Sequence, residues 1–373
     1  MAKTRRIFTS ESVTSGHPDK VADQISDAIL DAHLRGDSKA RVAVEALVKG
    51  GDVVLAGEIT SRTDVELDNI VQQVLLRIGY VDLDRAFCAG AVRVQNLVSE
   101  QSPEIGAGVL SEGRDPTEQG AGDQGIMFGY ATSECPERIP LPLALAHRIT
   151  RRLDGDRTTG LHSWMRPDGK AQVSVVYEGD RPIRVETVVV SIQHAEDCSQ
   201  EKIRDYVQQI LPQELGVWYT QGLRLHVNPA GSFVLGGPEA DAGLTGRKIM
   251  VDTYGGLARH GGGAFSGKDA SKVDRSAAYM ARLAARTVVD RGLARRCEVQ
   301  VAYAIGVSRP VSIAVETFRT GRARDAVRLI EKEFDFRPAA IVERLALDVP
   351  GFEPVASGGH FGREGVAWER VAV

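Results

Sequence analysis

The sequence predicts an α+β protein with three pseudo-repeated domains, each a β-sheet that contains a hairpin and is flanked by helices. The first observation is that three pairs of strand-like runs are each joined by a short turn. The turns lie near residues 50, 180 and 309 of the 373-residue chain, so they recur about every 130 residues. The second observation is that segments of helical periodicity precede and follow each pair. Three matching copies favour internal repetition over a chance similarity of hairpin spacing.

The predicted elements follow from these patterns. The paired runs are RVAVEALV with VVLAGEIT, QVSVVY with IRVETVVVSI, and EVQVAYAIGV with VSIAVETF, around the turns KGGD, EGDRP and SRP. The helices are predicted at about residues 18–34, 64–78, 140–153, 200–211, 272–292 and 322–334. We expect the domains to span residues 1–103, 104–237 and 238–373.

Composition and charge limit the class of protein. With 43% hydrophobic and 26% charged residues, the chain is typical of globular proteins and is long enough for more than one core. A net charge of -4 argues against an extended nucleic-acid-binding face. We expect no membrane association, because the chain contains no apolar run of about eighteen residues. The basic residues near the N-terminus have no apolar stretch behind them, so a cytoplasmic protein is expected.

The cysteines predict neither a zinc site nor a dense disulfide framework. They lie tens of residues apart and form no C-x-x-C pair. We therefore expect reduced structural thiols at all of them: Cys88, Cys135, Cys198 and Cys297.

A long segment, SEQSPEIGAGVLSEGRDPTEQGAGDQG, runs from residue 99 to residue 125 with little apolar periodicity and many glycines. A loop of this length inside a compact chain is either disordered or functional. We interpret its part from about 101 to 118 as a mobile lid over a binding site.

The stretch TSESVTSGHPDKVADQISDAILDAH has acids at every fourth position of a predicted helix. Like charges at this spacing repel by a few tenths of a kcal/mol per pair, so helix stability alone does not favour them. We call them the acid row: Asp19, Asp23, Asp27 and Asp31. Asp19 is a candidate magnesium ligand, whereas the other three are expected to be solvated or capping acids. His17 precedes Pro18 at the helix start, where a donor can face an anion, although a single histidine is often structural.

A glycine cluster in RHGGGAFSGKDASKVDRS, residues 259–276, precedes Lys268, Lys272 and Asp274. Backbone N–H groups approach phosphates closely where side chains are absent, so this segment is a candidate polyphosphate cradle. From Gly262 to Lys268 it matches G-x-x-x-x-G-K. It fails the P-loop test because Asp269 replaces the Ser or Thr and no buried strand leads into the glycines. A glycine-rich surface loop is the alternative.

Five cations near glycine-rich turns together suit a triphosphate: Lys170, Arg247, Lys248, Lys268 and Lys272. A bound polyphosphate normally brings Mg²⁺, which is held by one or two protein carboxylates. Asp19 and Asp274 are the candidates for this role.

The motifs that contain these residues resemble those of the S-adenosylmethionine synthetase family. They are FTSESVTSGHPDKVADQISDAILDA, GEIT, QSPEI, GAGDQGIMFGYA, RPDGKAQV, GGPEADAGLTGRKIMVDTYGG, HGGGAFSGKDASKVDRSAAY and GGHFGR. They occur in family order across nearly the whole chain. The resemblance implies that methionine sulfur attacks C5′ of ATP and releases triphosphate, which is then hydrolysed to pyrophosphate and phosphate. It also implies a homodimer with active sites shared between subunits, paired into a homotetramer.

The resemblance implies a role for each matching residue. The catalytic residues would be His17, Lys170, Lys268 and Lys272. The ATP-binding residues would be His17, Asp168, Lys170, Ser232, Phe233, Asp241, Arg247, Lys248, Ala264 and Lys268. The methionine-binding residues would be Glu58, Gln101, Asp241, Lys272 and Ile305. Two Mg²⁺ per site would be bound by Asp19 and Asp274, and one K⁺ by Glu45.

Several residues depart from the family pattern. An acid is usual at Ser15 and a basic residue at Ser232, PEADAG replaces PMGD and so introduces Glu239, and Ala270 replaces a proline. Two other functions stay open on the sequence alone. One is a phosphoryl-transferring ATPase or kinase that uses the same cradle, and the other is a pseudoenzyme that only binds partners.

Overall fold

The computed structural model describes residues 5–100 and 119–371. Its strands are β1 (Arg5–Val13), β2 (Arg41–Lys49), β3 (Asp52–Thr60), β4 (Arg93–Ser99), β5 (Gly125–Thr132), β6 (Met165–Glu178), β7 (Arg181–His194), β8 (Arg224–Val227), β9 (Gly243–Leu244), β10 (Arg296–Tyr303) and β11 (Ser312–Glu316). Its α-helices are α1 (Pro18–Gly36), α2 (Leu67–Ile78), α3 (Leu141–Thr158), α4 (Gln200–Leu215), α5 (Gly237–Ala240), α6 (Ile249–Asp252), α7 (Val273–Asp290), α8 (Ala323–Glu333) and α9 (Pro338–Leu345).

The strands form three sheets, two of them mixed and the third antiparallel, and each contains one of the predicted hairpins. The strand orders are β4-β3-β2-β9, β1-β6-β7-β8 and β11-β10-β5. Each hairpin pairs antiparallel, as its short turn requires. The predicted α+β fold class, with a hairpin in every sheet and helices beside it, is therefore confirmed.

Each sheet is completed by a strand from a distant part of the chain. β1, at the start of the chain, pairs with β6 of the second hairpin, and β5 pairs with β10 of the third hairpin. β9 in turn adds two residues to β2 of the first hairpin. This cyclic exchange interlocks the three parts of the chain, and it brings Thr14, which follows β1, next to Pro167 and Gly169 near the start of β6.

The predicted helices correspond to α1, α2, α3, α4, α7 and α8. Most of their predicted ends lie within a few residues of the observed ends. The prediction of one strand was too long, because β10 ends at Tyr303 and residues 304–307 form a turn region. Several strands were not predicted at all: β1, β4, β5, β8 and β9. Their sequences lack the regular alternation that marked the hairpins.

The expectation that the later members of the acid row are solvated or capping acids is wrong. Asp23 and Asp27 are 0% exposed and Asp31 is 2% exposed. Asp23 accepts hydrogen bonds from the backbone N–H of Gly246 at 2.9 Å and from Lys20 Nζ at 2.8 Å. Burial in a low-dielectric interior requires such partners, and each acid of the row has them.

The remaining acids of the row bind other segments, which lie between residues 244 and 353. Asp19 Oδ1 accepts from Leu244 N at 3.0 Å, and Asp27 Oδ1 accepts from Gly267 N at 2.9 Å. Asp31 accepts from three consecutive backbone amides at 2.9–3.0 Å: Gly351, Phe352 and Glu353. The row therefore connects one face of α1 to loops that follow it by more than 200 residues in sequence.

The four cysteines are buried and free, which agrees with the expectation of structural thiols. Among the residues that the structure describes, no helix combines the length and the apolar character needed to cross a membrane.

Helix α7 approaches β5 so closely that a side chain cannot fit between them. A Cβ added to Gly129 would lie 1.9 Å from the carbonyl carbon of Ala281, a backbone atom that cannot move alone. We predict that Gly129→Ala destabilises the fold by about 1–3 kcal/mol or more, because overpacking displaces the helix. Equilibrium urea unfolding measures this change.

Gly155 supplies the matched control. It lies inside α3, and an added Cβ would meet no atom within 4 Å. Gly155→Ala should stabilise the protein by about 0.5–1 kcal/mol, since alanine restricts the unfolded chain and fits a helix. Equal destabilisation by the two substitutions would contradict the close contact between α7 and β5.

Candidate active site

His17 lies at the point where β1 leads into α1. Thr14 anchors this connection, since its backbone N–H donates to Gly169 O at 3.0 Å and its hydroxyl donates to Pro167 O at 2.8 Å. Pro18 occupies the first helical turn, where its missing N–H costs nothing. His17 caps the helix, and its Nδ1 accepts from the backbone N–H of Asp19 at 3.2 Å.

The His17 ring is held neutral. Burial, together with the nearby ammonium groups of Lys248 and Lys170, lowers the pKa of His17 to about 3, although Asp19 opposes the shift. Since Nδ1 accepts a hydrogen bond, the proton of the neutral ring resides on Nε2. The ring therefore presents one N–H donor close to the cations Lys248 and Lys170.

Asp19 forms an ion pair with Lys248 beside His17. Burial opposes ionisation, but the hydrogen bond from Lys248 and the one from Leu244 N lower the pKa of Asp19 below its usual value. The carboxylate is therefore charged, and it offers oxygen ligands of the kind that Mg²⁺ prefers.

Asp168 contributes a buried acceptor with spare capacity. Its Oδ2 accepts from Gly237 N at 2.8 Å, whereas its Oδ1 has no hydrogen-bond partner among the described residues. Burial raises the pKa of Asp168 to about 6, although the amide of Gly237 and the charge of Lys170 oppose the shift. A buried acceptor without a partner is a place where a ligand can donate. We call this group of side chains the histidine cluster: His17, Asp19, Asp168, Lys170 and Lys248.

Four other predicted ATP-binding residues lie between residues 232 and 247, shortly before Lys248 of the histidine cluster. Arg247, next to Lys248, is exposed, as is Ser232. Asp241 is also exposed, and its Oδ1 accepts from Ala242 N at 2.9 Å. Phe233 is half-buried, and its backbone N–H donates to His194 Nε2 at 3.0 Å, which fixes the end of this loop.

The second group of predicted residues lies around the glycine loop, residues 261–268. Lys268 Nζ donates to Asp274 Oδ2 at 2.6 Å, and Gly263 lies against the same carboxylate, since an added Cβ would be 2.2 Å from its carbon. Lys272 forms an ion pair with Asp269. We call the charged side chains at this loop the glycine-loop cluster: Lys268, Lys272 and Asp274.

Asp269 explains why the P-loop pattern fails here. Its Oδ2 accepts from Val42 N at 2.8 Å, and its own N–H donates to Val42 O at 3.0 Å. The residue is 2% exposed, so it joins the glycine loop to β2 and has no free face for a metal ion. Val44 N donates to Gly267 O at 3.0 Å and extends this attachment.

The glycine loop thus lies beside the strand that carries the predicted potassium ligand. Glu45 on β2 and Glu58 on β3 are both exposed on the same sheet face, because Glu45 pairs with Ala56 and Glu58 pairs with Ala43. Lys268 forms an isolated bridge with Ala43. These contacts bring Glu45, Glu58 and the glycine-loop cluster into one neighbourhood.

Ala264 and Ile305 are two further predicted site residues. Ala264 faces the Leu244–Lys248 turn, since a Cβ added to Gly246 would lie 2.4 Å from its own Cβ. Ile305 is exposed and forms a bridge with Ala121. Gln101 and the whole predicted lid, 101–118, lie outside the described residues.

The site residues therefore fall into two clusters within one chain. Among residues 5–100 and 119–371, no ion pair or hydrogen bond joins a side chain of the histidine cluster to one of the glycine-loop cluster. The same described residues contain no group of three or more His, Cys, Asp or Glu side chains that could hold a metal ion by themselves. Each cluster instead contains one carboxylate that is paired with a lysine.

Three departures from the family pattern have identifiable contacts. Ser15 donates to Asp154 through both its backbone N–H (2.8 Å) and its hydroxyl (2.7 Å), so an acid from α3 stands beside the position where the family has one. Glu239 Oε1 accepts from the amides of Ala86 (2.6 Å) and Phe87 (3.3 Å) and so fixes α5. Ala270 is buried within the connection to α7. Ser232 is exposed, and nothing in the structure explains its substitution.

Sequence reasoning missed the buried charges behind the two clusters. Lys20 contacts Asp23 and Asp252, and Arg275 contacts Asp27, all with less than 4% exposure. A signal was present, because Arg275 lies three and four residues before Ala278 and Tyr279 and so shares a face of α7 with them. A charge on an apolar helix face indicates a buried partner.

Comparisons with known proteins cover almost the whole chain. Family models match in succession: the N-terminal domain of S-adenosylmethionine synthetase at residues 5–103, its central domain at 118–233, and its C-terminal domain at 235–370. The S-adenosylmethionine synthase of Thermus thermophilus is 53% identical over 377 residues, which cover 98% of this chain and 95% of that protein. The S-adenosylmethionine synthase of Parafrankia sp. is 53% identical over 373 residues, which cover 96% and 94%. The chain belongs to the S-adenosylmethionine synthetase family.

Proposed function

We propose that the protein is an enzyme that makes S-adenosylmethionine from ATP and L-methionine. The methionine sulfur attacks C5′ of ATP, the C5′–O bond breaks, and triphosphate leaves with the bonding electrons. Water then cleaves the triphosphate into pyrophosphate and phosphate. The observation that carries this proposal is that a carboxylate and a lysine are paired in each cluster, Asp19 with Lys248 and Asp274 with Lys268.

These two ion pairs suit a magnesium-bound triphosphate. Mg²⁺ is commonly held by one or two carboxylates together with substrate phosphates, so a complete protein cage is not needed. With ligands bound, each lysine would contact a phosphate and its partner carboxylate would be available to hold the metal. Asp19 and Asp274 would hold two Mg²⁺, which neutralise phosphate charge, and Glu45 would hold one K⁺.

The residues of this chain mainly bind and orient the reactants. Sulfur is already a good nucleophile, so the enzyme needs in-line positioning and stabilisation of the leaving triphosphate. Lys170, Arg247, Lys248 and Lys268 would contact the phosphates. His17 would donate from Nε2 to the oxygen on which charge develops, which its neutral state allows.

The remaining proposals concern the two organic parts of the substrates. The spare oxygen of Asp168 would accept from the nucleoside, with Phe233, Ser232 and Ala264 nearby. The methionine-binding residues would be Glu58, Gln101, Asp241, Lys272 and Ile305.

We also propose a homodimer with shared sites, which pairs into a homotetramer, and a cytoplasmic location. Two observations support the dimer: the site residues fall into two clusters, and the exposed sheet faces carry apolar side chains. Leu47 and Ile313 are 40% exposed, Ile126 is 45% and Leu97 is 56%. We predict that multi-angle light scattering gives two or four times the chain mass. An active monomer would contradict the shared site.

The reaction itself is tested by product analysis. The purified protein is incubated with ATP, methionine, Mg²⁺ and K⁺, and we expect S-adenosylmethionine by mass spectrometry with pyrophosphate and phosphate by phosphorus NMR. ADP that accumulates only with methionine present would instead favour a phosphoryl-transferring ATPase or kinase. A folded protein that binds both substrates but forms no product would favour a pseudoenzyme. Omission of Mg²⁺ should abolish product formation, because the triphosphate charge is then unshielded.

His17→Asn tests the role of the helix-capping ring. Asparagine can still cap α1, but its amide does not reach as far as Nε2. We expect formation of S-adenosylmethionine to slow by about 10²-fold, as for the loss of one transition-state donor. Hydrolysis of added triphosphate, measured as phosphate release, should slow by less than about 5-fold. Equal slowing of both steps would argue that His17 is structural.

A further inference from the structure

Asp27 and Arg275 form an ion pair that is completely buried behind the glycine loop. Both side chains are 0% exposed. Arg275 Nη1 and Nη2 donate to the two carboxylate oxygens at 2.6 Å and 2.8 Å, so the contact is bidentate. Such a pair fixes the positions of both side chains, because two parallel hydrogen bonds define an orientation as well as a distance.

The pair binds the backbone of the glycine loop at two successive residues. Asp27 Oδ1 also accepts from the N–H of Gly267 at 2.9 Å. Arg275 Nη1 also donates to the carbonyl oxygen of Lys268 at 3.2 Å. The Gly267–Lys268 dipeptide is therefore held at both ends, at the Gly267 N–H and at the Lys268 carbonyl oxygen, by one rigid unit.

Steric contacts leave the loop little room to adapt. Gly267 has φ of +79°, and an added Cβ would lie 1.9 Å from Val44 O. Arg275 is fixed from its other side, since its Nε donates to the Tyr279 hydroxyl at 3.0 Å and its guanidinium lies 4.2 Å from the centre of the Phe352 ring. A shift of Arg275 would therefore be passed to the Lys268 backbone.

We propose that Asp27 and Arg275 are positioning residues that act through Lys268. They hold its backbone so that the ammonium group can move between Asp274 and a phosphate without displacement of the loop. This inference rests on the proposed function, because it assigns Lys268 to the triphosphate. Misplacement of a catalytic group by about 1 Å can cost about 10²-fold in rate, so a distant pair of this kind can control turnover.

The same helix offers a matched control. Arg282 on α7 is also 0% exposed and makes a bidentate pair, with Glu369, at 2.9 Å for both contacts. Its other donors reach the carbonyl groups of Tyr130 at 2.6 Å and Arg138 at 2.8 Å. Arg282→Lys therefore removes an equivalent buried bidentate contact. None of the hydrogen bonds that Arg282 makes with the described residues reaches a predicted site residue.

A double-mutant cycle between Arg275 and Lys268 tests the proposal. Arg275→Lys keeps the buried charge but removes the bidentate fork. We expect it to lower kcat for S-adenosylmethionine formation by about 10²-fold and to change KM for methionine by less than about 3-fold. In the background of Lys268→Met, it should lower kcat by less than about 3-fold more, because the residue through which it acts is absent. Arg282→Lys should change kcat by less than about 3-fold at a temperature where circular dichroism shows every variant folded.

Independent effects would overturn the inference. If Arg275→Lys lowers kcat by the same factor with and without Lys268, or if Arg282→Lys matches its effect, the Asp27–Arg275 pair only stabilises the fold. If Arg275→Lys fails to fold, the same cycle uses Asp27→Asn together with Arg275→Gln, which removes both buried charges and leaves no unpaired ion. The wild-type enzyme is assayed first: absence of product there rejects the proposed function itself, whereas normal product with independent effects rejects only the positioning role.

Discussion

The structure depends on the acid row of α1. The row is unfavourable by itself, and distant hydrogen-bond partners make it favourable. Four carboxylates at four-residue spacing repel one another, and burial raises the free energy of each charge. The row is tolerated because each member accepts hydrogen bonds from distant segments between residues 244 and 353, at Leu244, Gly246, Gly267 and Gly351–Glu353. A buried charge that loses its partner costs about 3–5 kcal/mol, so α1 and these loops are stable only together.

This dependence connects the fold to the candidate chemistry. The turn that Asp23 binds leads to Lys248, and the loop that Asp27 binds carries Lys268. Asp19, at the start of the row, is paired with Lys248 itself and is the one member with an expected ligand. Because the exchange of β1, β5 and β9 between sheets interlocks the same parts of the chain, the helix, the sheets and both clusters assemble as one unit. The acid row is thus better understood as a scaffold for the loops that carry the proposed phosphate-binding lysines than as a set of ligands.

Local sequence patterns predicted the hairpins and the long helices, since alternation and helical periodicity are properties of neighbouring residues. Long motifs predicted the family and hence the candidate residues. The partners of Asp23 and Asp27 could not be predicted in this way, because Gly246 and Gly267 contribute backbone amides from more than 200 residues away. β1 was missed because RRIFTSESV is polar, and it is a strand only because β6 pairs with its whole length. Arg275 was missed because an arginine is usually exposed, and only its partner explains its burial.

The most direct test of this account is hydrogen exchange, followed by mass spectrometry, in Asp27→Asn and Asp31→Asn. The two substitutions are alike in chemistry and helix, but their carboxylates bind different loops, and only Asp27 is also paired with an arginine. Arg275→Gln is therefore combined with Asp27→Asn, so that neither variant leaves a buried ion without its partner. The account predicts faster exchange at residues 262–268 in Asp27→Asn and at residues 350–354 in Asp31→Asn, with each variant leaving the other loop protected. If both variants exchange faster over the same segments, or if neither loop changes, the acid row does not hold these loops individually and the account is wrong.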